Sequence, residues 1–122
     1  MAEELKLVQK SYDLCQWLFN HTEKFPKSRR FSMAVRIENQ FLDFLELVSL
    51  ASYRKQKLPL LQKADEHLFF LRLLVRLSHS MKLITTGSYE FAAQGLDEIG
   101  RMLGGLMKKF VVAPSGAGRP EE

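Results

Sequence analysis

Cysteine is almost missing from this chain: Cys15 is the only one in 122 residues, which excludes an internal disulfide framework. Long apolar runs are missing too. The most apolar stretch, residues 68–77, is interrupted by Arg72 and Arg76 and falls well short of the roughly 20 apolar residues that cross a bilayer, so no membrane span is expected. No stretch near the N-terminus combines a basic start, an apolar run and a small-residue cleavage site. With the lone thiol, this predicts a cytoplasmic protein in a reducing compartment.

The patterns of common chemistries are also lacking. Gly100-Arg-Met-Leu-Gly-Gly105 is glycine-rich, but Leu106 and Met107 follow where a phosphate loop carries Lys and Ser or Thr, and no strand precedes it. His21, His67 and His79 are isolated, and none has a carboxylate three residues before it as di-iron bundles require. Cys15, between Leu14 and Gln16, has no catalytic signature around it and reads as a buried structural thiol. No acid/base pair presents itself, so the expectation is a protein that is not an enzyme and holds neither metal nor cofactor.

What is there belongs to a folded protein: 46% of the residues are hydrophobic and 26% charged, in a length suited to one domain. The net charge is +4, and residues 1–110 carry 17 basic against 12 acidic residues, so the periodic part is the more basic part. That balance permits an acidic partner without requiring one.

Four segments show helical periodicity. The first, about residues 5–21, places Leu7, Leu14 and Leu18 with Tyr12, Trp17 and Phe19 on an apolar face, and ends before Pro26. Residues 23–30 are polar and contain that proline, which predicts a loop leading to a second helix capped by Ser28 or Ser32. The second helix, about residues 33–55, carries Ile37, Phe41, Phe44, Leu45, Val48 and Ala51 at core spacing. Pro59 opens the third, which runs to about Met81, and a break over Thr85-Thr-Gly-Ser88 offers Thr86 or Ser88 as cap of a fourth ending near Phe110. Short links make neighbours antiparallel, so the predicted fold is an all-α, up-down-up-down four-helix bundle over residues 1–110. Residues 111–122, with Pro, Gly and Ser and no periodicity, read as a flexible, disordered tail.

Four constellations stand out. The third helix is apolar around nearly its whole circumference, from Leu68-Phe-Phe-Leu to Leu77, whereas a lone bundle buries one stripe per helix; self-association is the simplest reason, with cover of Phe69 and Leu73 by loops or tail as the alternative. Arg72 and Arg76, four residues apart, share a face of that helix. They form either a basic strip for phosphates or ion pairs with Glu38, Asp43 or Glu46 across the bundle. Lys24, Lys27, Arg29 and Arg30 form a second basic cluster, flanked by Phe25 and Phe31 in the manner of nucleic-acid contacts, though such clusters are commonly just solvated. Gly95, Gly100, Gly104 and Gly105 weaken a helix by roughly 1 kcal/mol each, which predicts close backbone approach to another helix.

The runs Glu23-Lys-Phe-Pro-Lys-Ser-Arg-Arg-Phe31, Ala51-Ser-Tyr-Arg54, Leu71-Arg-Leu-Leu-Val-Arg-Leu77 and Glu98-Ile-Gly-Arg-Met-Leu-Gly-Gly105, with Tyr12-Asp-Leu14, Trp17-Leu18 and Tyr89-Glu90, resemble a four-helix bundle family over nearly all of residues 5–110. That family includes the 23S rRNA intervening-sequence proteins and the accessory variability determinant of diversity-generating retroelements. The resemblance implies a homopentameric barrel with a basic surface and central channel. In the retroelement branch it implies association with the reverse transcriptase and its template RNA or cDNA, the polymerase being the catalyst. The basic positions it carries over are Lys27, Arg29 and Arg30 before the second helix and Arg72 and Arg76 on the third. After Leu77 many relatives continue with alanine, a basic and an acidic residue; here Ser78, His79 and Ser80 follow, and Lys82 supplies the nearby charge. Leu106 stands where a Trp often follows the paired glycines. The leading expectation is a retroelement accessory protein whose partners are itself, the reverse transcriptase and nucleic acid. The alternative is an intervening-sequence-type scaffold with little nucleic-acid affinity.

Overall fold

The computed structural model describes residues 2–112, and every element in it is helical. The predicted tail falls almost wholly outside the described residues; of its positions, Val111 and Val112 belong to the last helix.

Helix α1 is Ala2–Thr22, with Glu3 and Glu4 in the first turn, where carboxylates complement the helix dipole, and His21 in the last. Its inward positions Leu7, Leu14, Cys15 and Leu18 recur at three- and four-residue spacing. Tyr12 departs from the expected face: it is 53% exposed, because position 12 lies off the stripe that 7, 11, 14 and 18 define. A turn closed by Phe25 N–H to the Thr22 carbonyl seats Phe25 in the core, and Pro26 ends the break.

Helix α2 covers residues 27–51 as a short α segment Lys27–Arg29, a π-helical turn Arg30–Ala34 and the main α segment Val35–Ala51. Ile37, Phe41, Phe44, Val48 and Ala51 are its buried row, and Phe41 and Phe44 meet edge to face at 6.3 Å between centroids. It stops at Ala51, four residues before the sequence expectation. Lys57 Nζ donates to the Ala51 carbonyl at 2.7 Å, satisfying one of the orphan acceptors of the helix end.

Helix α3 is Leu58–Ser80, with Pro59 in its first turn where a missing N–H is harmless. Its end is a Schellman motif: Leu83 N–H reaches the Ser78 carbonyl and Lys82 N–H the His79 carbonyl, with Lys82 in the left-handed region at φ 62°. Helix α4 is Thr86–Val112. Thr85, and neither Thr86 nor Ser88, is its cap, since Thr85 Oγ1 accepts from Ser88 N–H at 3.1 Å.

The main contacts run α1 to α2, α2 to α3, α3 to α4 and α4 to α1, so the four helices enclose one core. At its centre lie Leu7, Leu18, Ile37, Phe41, Phe44, Leu71, Ile99 and Leu103, each burial of this kind stabilising the fold by roughly 1.5–3 kcal/mol. Among the described residues no helix is long and apolar enough to cross a membrane.

Candidate functional site

The basic segment after α1 is mostly helix. Only residues 23–26 separate α1 from α2, so the expected loop over 23–30 is corrected: Pro26, with φ −56° and ψ 152°, is the N-cap, and neither Ser28 nor Ser32 caps. Polar composition suggested a loop, but a helix start needs only a few solvated residues after a proline.

The π turn explains how this segment stays outside. The inward row 48, 44, 41, 37, 34 continues at α-helical spacing to 30 and 27, which would direct Arg30 and Lys27 toward the core side. The π turn, closed by Val35 N–H to the Arg30 carbonyl, takes up one extra residue and so shifts everything before it by about 100°. Met33 and Ala34 remain buried while residues 26–32 are all exposed. Lys27, Arg29 and Arg30 thus share one solvent-facing stretch with Phe31, which is 81% exposed. Residues 24–36 hold Lys24, Lys27, Arg29, Arg30 and Arg36 and no acidic residue, and none of these cations has an ion-pair partner among the described residues.

Arg72 and Arg76 line a groove between α3 and α4 with Phe69, Leu73 and Tyr89. Arg72 Nη2 pairs with Asp97 Oδ1 on α4. The partner is therefore none of the three carboxylates considered from sequence; Glu38 instead accepts from Thr22 Oγ1 at 2.6 Å. Arg76 is exposed and has no ion-pair partner among the described residues. Phe69, Leu73 and Leu77 are 64%, 50% and 43% exposed, so no described loop covers them. Lys82 stands apart from both clusters, on the turn between α3 and α4.

Of the helical glycines, Gly95 meets the expected close neighbour: a Cβ there would lie 2.8 Å from Leu14 Cδ2 on α1. One at Gly100 would lie 3.0 Å from Arg72 Nη1. Gly104 and Gly105 have nothing within 4 Å of such an atom, so dense packing is not their reason within one chain.

The remaining polar groups are dispersed. His21 Nδ1 lies 2.9 Å from the Trp17 carbonyl, His67 Nδ1 2.7 Å from Gln40 Oε1, and His79 stacks on Tyr89 at 4.4 Å. Among the described residues no group of three or more His, Cys, Asp and Glu side chains is arranged to hold a metal. Cys15 is buried, and desolvation first, then the nearby Glu38 carboxylate, pushes its thiol up to about 11. Sequence reasoning missed the buried Glu4 and the partly buried Lys57, 3.5 Å apart between α1 and the start of α3. It also missed the ring contacts of Trp17 with His21 at 4.0 Å and Phe91 at 4.6 Å. The four-residue step from Trp17 to His21 was the only signal available for these.

Four helices around one core, with an unpaired cationic turn and an arginine-bearing apolar face at the surface, define a small helical bundle protein. The bAvd-like family model matches residues 5–110, and the chain belongs to that family, the family of the accessory variability determinant. No curated protein matches the chain.

Proposed function

We propose that this chain is a non-catalytic accessory protein of a diversity-generating retroelement, a cytoplasmic homopentamer that binds template RNA or cDNA and the reverse transcriptase to support mutagenic retrohoming. The observation that carries the reading is the 24–36 segment: five cations, no acid and no internal ion pair, in a member of the bAvd-like family. A polyanion with regularly spaced charges is the partner that such a surface fits, and release of its counterions drives the binding. Lys27, Arg29 and Arg30 contact phosphates without reading sequence. Arg76 and Arg72 add a second contact to nucleic acid or polymerase, and Lys82, on the turn after α3, a separate one.

An up-down-up-down antiparallel bundle is supported by the pairing of Glu3 with Lys109 and of Lys10 with Glu98, which matches the early part of α1 to the late part of α4. Self-association is supported by the exposed Phe69, Leu73 and Leu77 on one helix. The internal pairing of Arg72 with Asp97 favours the alternative of an interaction scaffold with little nucleic-acid affinity, since it occupies one of the cations.

Light scattering combined with binding of a labelled structured RNA across a salt series tests the proposal. The natural protein is compared with Lys27→Ala/Arg29→Ala/Arg30→Ala and with Arg72→Ala/Arg76→Ala. The expected result is a pentamer whose log affinity falls linearly with log salt, with a slope shallower by roughly one for each phosphate contact removed. A monomer, or an oligomer that does not bind, sinks the proposal and leaves the scaffold.

A further inference from the structure

Phe31 is hard to explain in a self-contained bundle. At 81% it is the most exposed large hydrophobic side chain among the described residues. Tyr53 follows at 71%, but its hydroxyl is at home in water and its neighbours Arg54 and Lys55 are fewer cations than surround Phe31. The ring sits in the π turn Arg30–Ala34, immediately after Arg29 and Arg30 and four residues beyond Lys27. Such turns inside α-helices are frequent at functional sites.

We infer that this turn is a site for unpaired nucleic-acid strands, in which Phe31 stacks on a base and Lys27, Arg29 and Arg30 hold the adjoining phosphates. The inference rests on the nucleic-acid reading above and narrows it to a strand type. A duplex turns its phosphates outward and keeps its base faces stacked inside, so it uses the cations but not the ring. An unpaired strand offers both, and every base has a face for the ring, which makes the contact tolerant of sequence. A second copy of the chain is the poorer occupant. A two-fold contact would bring this acid-free turn against its own like charges, and for a ring interface the face of Phe69, Leu73 and Leu77 supplies apolar area with far less positive charge.

The test uses the full chain and two probes of about 20 nucleotides, labelled oligouridylate and a labelled RNA duplex, by fluorescence anisotropy at low salt. A third probe, the single strand carrying one 2-aminopurine, reports stacking through its quenching. Variants are Phe31→Ala and Phe31→Tyr, each also measured by light scattering and thermal unfolding. The expected result for Phe31→Ala is roughly 5- to 100-fold weaker binding of the single strand and duplex binding within about twofold of the natural protein. Its 2-aminopurine quenching should be lost, while Phe31→Tyr retains both affinity and quenching. Equal losses on both probes, no loss on either, or a fall in mass for Phe31→Ala overturns the inference and leaves nucleic-acid binding standing. If the natural protein binds neither probe, the nucleic-acid reading itself fails and the inference with it.

Discussion

Arg72 on α3 is held by Asp97 on α4, while Arg76, one turn further along the same face, has no such partner among the described residues. Both members of the pair are nearly half exposed, so it contributes at most about 1 kcal/mol to stability. Its larger effect is on charge, because Asp97 neutralises one of the two guanidiniums in the groove. Asp97→Asn is therefore expected to lower the unfolding free energy by no more than about 1 kcal/mol. At low salt it should tighten RNA binding a few-fold, and the gain should fade as salt screens the site. Titrations at two ionic strengths check this; an unchanged affinity would show that the groove does not meet the polyanion.

Lys82 occupies the left-handed position of a Schellman motif that glycine usually fills. A side chain at φ 62° costs about 1 kcal/mol relative to glycine. Lys82→Gly is expected to raise the melting temperature by several degrees even though it removes a surface charge. Calorimetry on the two proteins decides it, and a lower melting temperature would mean that the lysine side chain itself supports the turn.

Two glycines on α4 should respond in opposite ways to alanine. At Gly95 the new methyl meets Leu14 Cδ2 at 2.8 Å, and Leu14 is itself buried, so the gain in helix propensity is offset or reversed by repacking. At Gly105 the methyl meets nothing, and the substitution should stabilise by up to about 1 kcal/mol. Urea unfolding measures both. If Gly105→Ala instead lowers the particle mass in light scattering, that glycine packs against another subunit.

The helices and the core were legible because Ile37, Phe41, Phe44 and Val48 repeat at the helical period, and period is what burial selects. The π turn was invisible for the same reason. A period of 3.6 residues predicts where a regular helix points, and one extra residue at 30–34 changes the outcome for every position before it. The partner of Arg72 needed packing knowledge: Asp97 lies 25 residues away on a neighbouring helix, and sequence offered several carboxylates without ranking them. Sequence alone does not single out Thr85 as the cap, because Thr86 and Ser88 carry hydroxyls too and only the geometry of the first helical turn distinguishes them.

Glu4 and Lys57 are both largely buried, with Lys57 Nζ 3.5 Å from Glu4 Oε2 and donating to the Ala51 carbonyl. The lysine thereby ties α1, the end of α2 and the start of α3 together. Lys57→Met removes both the ion pair with Glu4 and the hydrogen bond to the Ala51 carbonyl, at a cost on the order of 2–3 kcal/mol. Glu4→Leu/Lys57→Met should recover much of the loss, because it removes both buried charges. A double mutant no more stable than Lys57→Met in urea would argue that the carbonyl contact, and not the ion pair, is what matters.

Cys15 gives the alkaline limit of stability a specific origin. Its thiol ordinarily ionises near 9.0, whereas in the fold burial, aided by Glu38, holds it protonated up to about 11. The unfolded chain therefore releases this proton first as pH rises. The contribution is constant below pH 9, and stability declines between 9 and 11, by about 2–3 kcal/mol for the whole window. Above 11 both states are ionised and the slope from this group ends. The comparison that isolates this group is with Cys15→Ala, which lacks the thiol but shares the rest. Unfolding free energies of the two proteins should run parallel from pH 7 to 9 and converge toward 11, with the natural protein falling faster. Parallel curves throughout would show that the thiol is solvated in the folded chain, and fast reaction with a thiol reagent at pH 8 would then accompany them.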